Sequence, residues 1–311
     1  AENGGMIRAT NGNNSYGDFG SVSECIDSTE TPVIGNVDNR KLDAIVDSVM
    51  TDGDDVLVLN YLNAGQEYTA GGTTIAVQGE GFGLGTVTPT TVDGGVFQVR
   101  MLDTDVDNDS TLDTGGAEYV NATNSAQEGD TTTITISNTD TALSSQYIGM
   151  AIYLTAGTGA GQYGYIGSYN AGTKIAQVYK MSDDTAGWDH VTGAAIQASL
   201  DATTEYSIEP RLTFSVPEGG GGYAATAKGR PIIADEKIAR IVIWDPGQGY
   251  TSAPILTITD PNNTIEAPTE VRIGDGVLAQ PTFSDRGTAF TTASAEVTGD
   301  GFADQYQPGE F

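Results

Sequence analysis

The segment Asp103-Thr104-Asp105-Val106-Asp107-Asn108-Asp109 sets carboxylates at alternate positions: Asp103, Asp105, Asp107 and Asp109. That is the oxygen spacing of a calcium loop, because hard cations take carboxylate oxygens and crowded acids repel one another without one. The sixth position holds Asn108 where such a loop has glycine, and the twelfth holds Thr114 where it has glutamate. No flanking helices are expected. The reading favours a solvated acidic turn, with calcium as the alternative and no other cofactor.

Histidine and cysteine each occur once, as His190 and Cys25. A single cysteine excludes an internal disulfide and any cysteine-rich zinc site. A single histidine excludes multi-histidine metal centres and leaves one candidate for imidazole acid–base chemistry. Asp189 sits beside His190 in sequence, and no Gly-x-Ser-x-Gly elbow supplies a nucleophile. His190 therefore reads as a turn residue packing near Trp188, and Cys25 as a small filler in a serine-rich stretch. Gly157-Thr158-Gly159-Ala160-Gly161 lacks the lysine and following helix of a phosphate loop and reads as a hairpin turn. Carboxylate pairs of the glycosidase type cannot be singled out among 42 acidic residues. Tyr147, Tyr153, Tyr163, Tyr165, Tyr169 and Tyr179 crowd one stretch, a spacing that fits sheet packing better than a sugar groove. No catalytic residue is expected, and the chain reads as a non-enzyme.

Lys and Arg number 13 against 42 Asp and Glu, a net charge of −29. That balance argues against nucleic acid and against anionic membrane surfaces, both of which need clustered cations. Apolar runs such as Val56 to Leu59 and Ile238 to Trp244 are far shorter than the ~20 residues of a spanning helix. The start, Ala1-Glu2-Asn3-Gly4-Gly5, has neither the basic nor the apolar region of a signal peptide. It has no initiator methionine either, so the chain reads as processed or as a piece of something longer.

One segment carries helical spacing. Leu42, Ile45, Val46 and Val49 fall at i, i+3, i+4 and i+7 within residues 39–50, with Asp38 as N-cap. Nearly everything else reads as strand: Val56–Leu62, Thr74–Val77, Val96–Leu102, Thr132–Ile136, Ala151–Leu154, Tyr163–Tyr169, Lys174–Lys180, Tyr206–Ile208, Arg211–Val216, Ile238–Trp244, Ile255–Thr259 and Glu270–Ile273. Turns such as Asn170-Ala171-Gly172 and Gly274-Asp275-Gly276 separate them. The expected fold is all-β: antiparallel, sandwich-like units with glycine-rich turns and one short helix, in an elongated multi-unit architecture.

A repeat runs through the chain. A strand is followed by Gly65-Gln66-Glu67-Tyr68, by a degraded Gly116-Ala117-Glu118-Tyr119, and by Gly247-Gln248-Gly249-Tyr250 ahead of Pro254. The physical unit is a strand end, a positive-φ turn, a tyrosine folded over it and a departing strand. Gly65, Tyr68, Tyr119, Gly247, Gly249, Tyr250 and Pro254 are thus expected as structural turn residues. The expected segments are a polar arm at 1–38, a helix with the first β units at 39–127, a tyrosine-rich β insert at 128–217, and a glycine-rich joint with the last repeat at 218–311.

Pro246-Gly247-Gln248-Gly249-Tyr250-Thr251-Ser252-Ala253-Pro254-Ile255-Leu256-Thr257-Ile258 resembles a repeat of virion structural proteins from T4-like tailed phages of marine cyanobacteria. Tyr147 to Met150, Gly157 to Ile166, Thr185 to Val191 and Glu209-Pro210-Arg211 are similar to the same class. The resemblance implies a baseplate, tail or fibre protein located in the virion. It implies partners among copies of itself, as a trimer, and other virion proteins, with no catalytic residues. A head decoration or head fibre protein is the nearest alternative. A carbohydrate-binding or cleaving module and a calcium-stabilised surface-layer or adhesin domain are the others.

Overall fold

The computed structural model describes residues 43–104, 106, 112–218, 220 and 222–303. The expected arm at 1–38, with Cys25, lies outside the described residues, as do Asp105, Asp107 and Asp109. The described residues form one compact unit. All strand pairings within it are antiparallel, and the one helical element among the described residues is a 3-10 turn at Gly222–Ala225. No helix there is long and apolar enough to cross a membrane.

The expected helix over 39–50 is a strand where it is described. Ile45–Thr51 pairs antiparallel with Val56–Asn63. β-Branched Ile45, Val46, Val49 and Thr51 suit that pairing. The register is broken between Val46 and Ser48, leaving Asp47 as an extra residue. A bulge resets the side-chain alternation, so Val46 and Val49 reach the same core although three residues apart. The helical spacing was a bulge seen in one dimension. Asp47, thrown out by the bulge, binds the Nε of Arg240 at 2.5 Å.

Val56–Asn63 and Lys237–Asp245 lie at the centre of a four-stranded sheet with outer strands Ile45–Thr51 and Lys228–Ala234. The period-2 alternation splits the first of these between two cores. Leu59 and Tyr61 join the core of Tyr68, Ile75, Phe97 and Val297, while Val58 joins Tyr153, Tyr163 and Trp244 on the opposite side. That second core ties the sheet to the tyrosine-rich insert. The insert is a nine-stranded sheet, from Ala122–Ser125 to Glu205–Glu209, with its own core around Ile134, Ile152, Leu154, Ile166, Val178, Trp188 and Ile208.

Residues 74–101 and 269–298, at opposite ends of the chain, form one long two-stranded ribbon. Thr74–Gly79 pairs with Ala293–Thr298, Phe82–Leu84 with Arg286–Thr288, and Val87–Thr88 with Thr282–Phe283. Thr91–Val92 then pairs with Val277–Leu278, and Gly95–Met101 with Thr269–Gly274. The ribbon joins the expected segments 39–127 and 218–311 along their length. Halfway along, two Asp-Gly steps clasp one another. The Gly94 N–H donates to the Asp275 carboxylate at 2.9 Å, and the Gly276 N–H to Asp93 at 3.1 Å.

Candidate functional site

The three Gly-x-x-Tyr turns share one backbone. The first glycines have φ of +66° at Gly65, +66° at Gly116 and +64° at Gly247. The residues before the tyrosines have φ of +60° at Glu67, +59° at Glu118 and +79° at Gly249. Two left-handed residues in four fold the tyrosine back beneath the turn. Glutamate takes up the strain at this position in the first two copies, where the third has glycine.

Each ring is buried, and each phenol oxygen accepts a backbone N–H from an alanine. Tyr68 takes Ala44 at 2.6 Å, Tyr119 takes Ala267 at 2.8 Å and Tyr250 takes Ala227 at 3.1 Å. Each alanine stands at or just before the start of the strand that pairs with the tyrosine's own strand: Ile45–Thr51, Thr269–Gly274 and Lys228–Ala234. The unit is an antiparallel strand pair locked across one end, akin to the tyrosine corner of β-sandwiches. In the first and third copies the two strands are neighbours in sequence. In the second they come from opposite ends of the chain.

Two of the locked turns also rest on the Asp-Gly steps of the ribbon, and the other on the tip between Lys228–Ala234 and Lys237–Asp245. Tyr68 N–H donates to the Gly276 carbonyl at 3.0 Å, Tyr250 N–H to Gly94 at 2.9 Å, and Tyr119 N–H to Glu236 at 2.9 Å. Pro254, which the repeat also contains, is buried between the turn and Leu256–Thr259.

The other expected sites stand apart from this framework. Asp103 accepts the Thr114 hydroxyl, and the neighbouring Asp113 carboxylate accepts the Val106 N–H at 2.6 Å. Among the described residues no three acidic, histidine or cysteine side chains are grouped to hold a metal. His190 Nδ1 lies 3.0 Å from the Thr192 hydroxyl and accepts the Thr192 N–H, while burial pushes the imidazole pKa down. Asp189 accepts the Ser182 hydroxyl and N–H and makes no bond to His190.

The clustered tyrosines divide into three groups. Tyr147 and Tyr169 both donate to Asp140, at 2.6 and 3.0 Å. Tyr153 and Tyr163 pack edge-on against Trp244. Tyr165 and Tyr179 stack with centroids 5.7 Å apart, and the Arg211 guanidinium lies 4.3 Å above the Tyr165 ring. Beneath Tyr153 runs a buried ion pair, Glu209 with Arg230 at 2.7 Å. Burial raises the Glu209 pKa and the Arg230 charge opposes that rise.

A cavity of about 240 Å³ opens beside the second and third tyrosine groups. Arg211, Lys228, Asp184, Ser182, Tyr163 and Trp244 are among its lining residues. Lys228 is neutralised by Asp245 at 2.6 Å. Arg211 is different: its Nε is buried with no acceptor, and among the described residues it is the one arginine with neither an ion pair nor a hydrogen bond. An unmet buried N–H costs about 1–3 kcal/mol. Sequence reasoning missed Arg211 as a site residue, because its unmet Nε and the cavity beside it exist only in three dimensions. Comparison with family models, curated proteins and solved structures gives no match to this chain.

Proposed function

We propose that the chain is a structural component of a tailed-phage virion, in the tail, baseplate or fibre, acting through subunit association. The observation that supports this reading best is the threefold recurrence of one tyrosine-locked strand pair. Its third copy is the stretch that resembles the phage repeat. The lock fixes the open end of a strand pair through a buried ring and a hydrogen bond, which suits a part that must hold its shape while neighbours bear on it. The second copy ties residues near 100 to residues near 270, so local opening at either end is resisted by the other. In this reading the partners are copies of the chain, as a trimer, and other virion proteins.

Labelling of phage particles with antibodies against the folded chain tests the proposal. Label on the tail, baseplate or fibres is the expected result. Label on the capsid would transfer the reading to a head decoration protein, and unlabelled intact and disrupted particles would overturn it.

A further inference from the structure

We infer that the cavity at Arg211 is a binding site for a small sugar carrying an oxyanion, a carboxylate or a phosphate. This inference stands independently of the virion reading. Three observations converge on it. In a chain of net charge −29, Arg211 is the one arginine among the described residues with neither an ion pair nor a hydrogen bond, and its Nε is buried. Its guanidinium carbon lies over the Tyr165 ring, 4.3 Å from the centroid, and that ring stacks on Tyr179. A stacked guanidinium keeps its in-plane donors in a fixed fork, the geometry that grips carboxylate or phosphate with two parallel bonds. The third observation is the chamber beside it. At about 240 Å³ it has the scale of one sugar ring. Its walls pair Trp244, Phe214 and Leu212 with Ser182, Thr226 and Asp184. Hydroxyl-bearing ligands satisfy such a mixture: the ring's C–H faces meet the apolar wall, and its hydroxyls can donate to Asp184 and exchange bonds with Ser182 and Thr226.

Trp244 lines the cavity and reports occupancy. Titrating the full chain with glucuronate, glucose 6-phosphate, inorganic phosphate and glucose, by tryptophan fluorescence and calorimetry, tests the inference. The expected result is saturable binding of glucuronate or glucose 6-phosphate, at least tenfold tighter than glucose. Which of the two binds identifies the oxyanion. Arg211→Gln should weaken that binding at least tenfold. Thr226→Trp, on the loop before Lys228–Ala234, should block the chamber without touching the arginine, and serves if the first variant fails to fold. Inorganic phosphate binding as tightly as the sugar phosphate would remove the sugar from the inference. No saturable binding by either charged sugar, equal binding of glucose, or unchanged binding in a folded Arg211→Gln or Thr226→Trp variant would overturn it.

Discussion

Tyr250 and Ala227, 23 residues apart, are joined by a hydrogen bond of 3.1 Å from the alanine N–H to the phenol oxygen. The same hydroxyl donates to the Ser215 carbonyl at 3.1 Å. One side chain thus anchors the start of Lys228–Ala234 and the end of Arg211–Phe214. Replacing Tyr250 by Phe keeps the ring and leaves the buried Ala227 N–H unmet, an expected loss of about 1–3 kcal/mol. Tyr250→Ala removes the ring as well, and about 3–5 kcal/mol is expected. Denaturant unfolding measures both, and an unchanged midpoint in the alanine variant would contradict the lock.

The two Asp-Gly steps beneath the Tyr68 and Tyr250 locks have no room for a side chain at the glycine. Gly94 has φ of +60°, and a Cβ there would lie 2.5 Å from the Tyr250 carbonyl oxygen and 2.8 Å from its nitrogen. Gly276, with φ of +61°, would meet the Tyr68 backbone at 2.7 and 2.9 Å. Left-handed backbone costs a residue with a Cβ about 1–2 kcal/mol before any collision. Gly94→Ala and Gly276→Ala should each lower stability by more than that range in thermal unfolding. Gly53→Ala, where φ is also positive and no atom lies within 4 Å, should cost only the backbone share.

Much of this framework was legible in the sequence, and the failures have particular causes. Each expected strand overlaps an observed one, because Val, Ile, Thr and Tyr alternate between glycine-rich turns. The helix failed because one bulged residue, Asp47, converted a strand's spacing of two into a helix's spacing of three. The Gly-x-x-Tyr motif could be read, but not which backbone group each hydroxyl would meet. Ala267 is 148 residues from Tyr119, and no local pattern encodes such a partner. The ribbon of 74–101 with 269–298 was hidden for the same reason. Arg211 had no signal at all: a cation after Pro210 looks ordinary until the fold buries its Nε beside a cavity with no acceptor.

The Glu209–Arg230 pair sets a pH dependence. Burial raises the Glu209 pKa above its unfolded value, so the ionised form is disfavoured in the folded state. A raised group contributes stability below its unfolded pKa and loses it as pH rises through the folded value. Arg230 counters that loss. Arg230→Met should therefore destabilise the protein by about 3–5 kcal/mol at neutral pH, where it strands a buried carboxylate. The deficit should shrink towards pH 4, as Glu209 takes a proton. A deficit independent of pH, read by denaturant unfolding across that range, would contradict the assignment.

Asp54 behaves in the opposite sense. Its pKa is lowered by the Thr288 hydroxyl at 2.6 Å and then by the Ala289 N–H. A lowered group contributes stability above its unfolded pKa and loses it as pH falls through the folded value. Thr288→Val should destabilise at neutral pH, and the difference from the parent should close below the ordinary aspartate value of 3.8. A difference that persists there would assign the effect to packing instead of charge.

Subunit association is the central claim of the functional reading, and the molar mass of the native chain measures it most directly. Light scattering after size exclusion should return the mass of three chains or more at micromolar concentration. A single-chain mass that holds across concentration and salt would contradict self-association and leave the tyrosine-locked framework as the scaffold of a monomer.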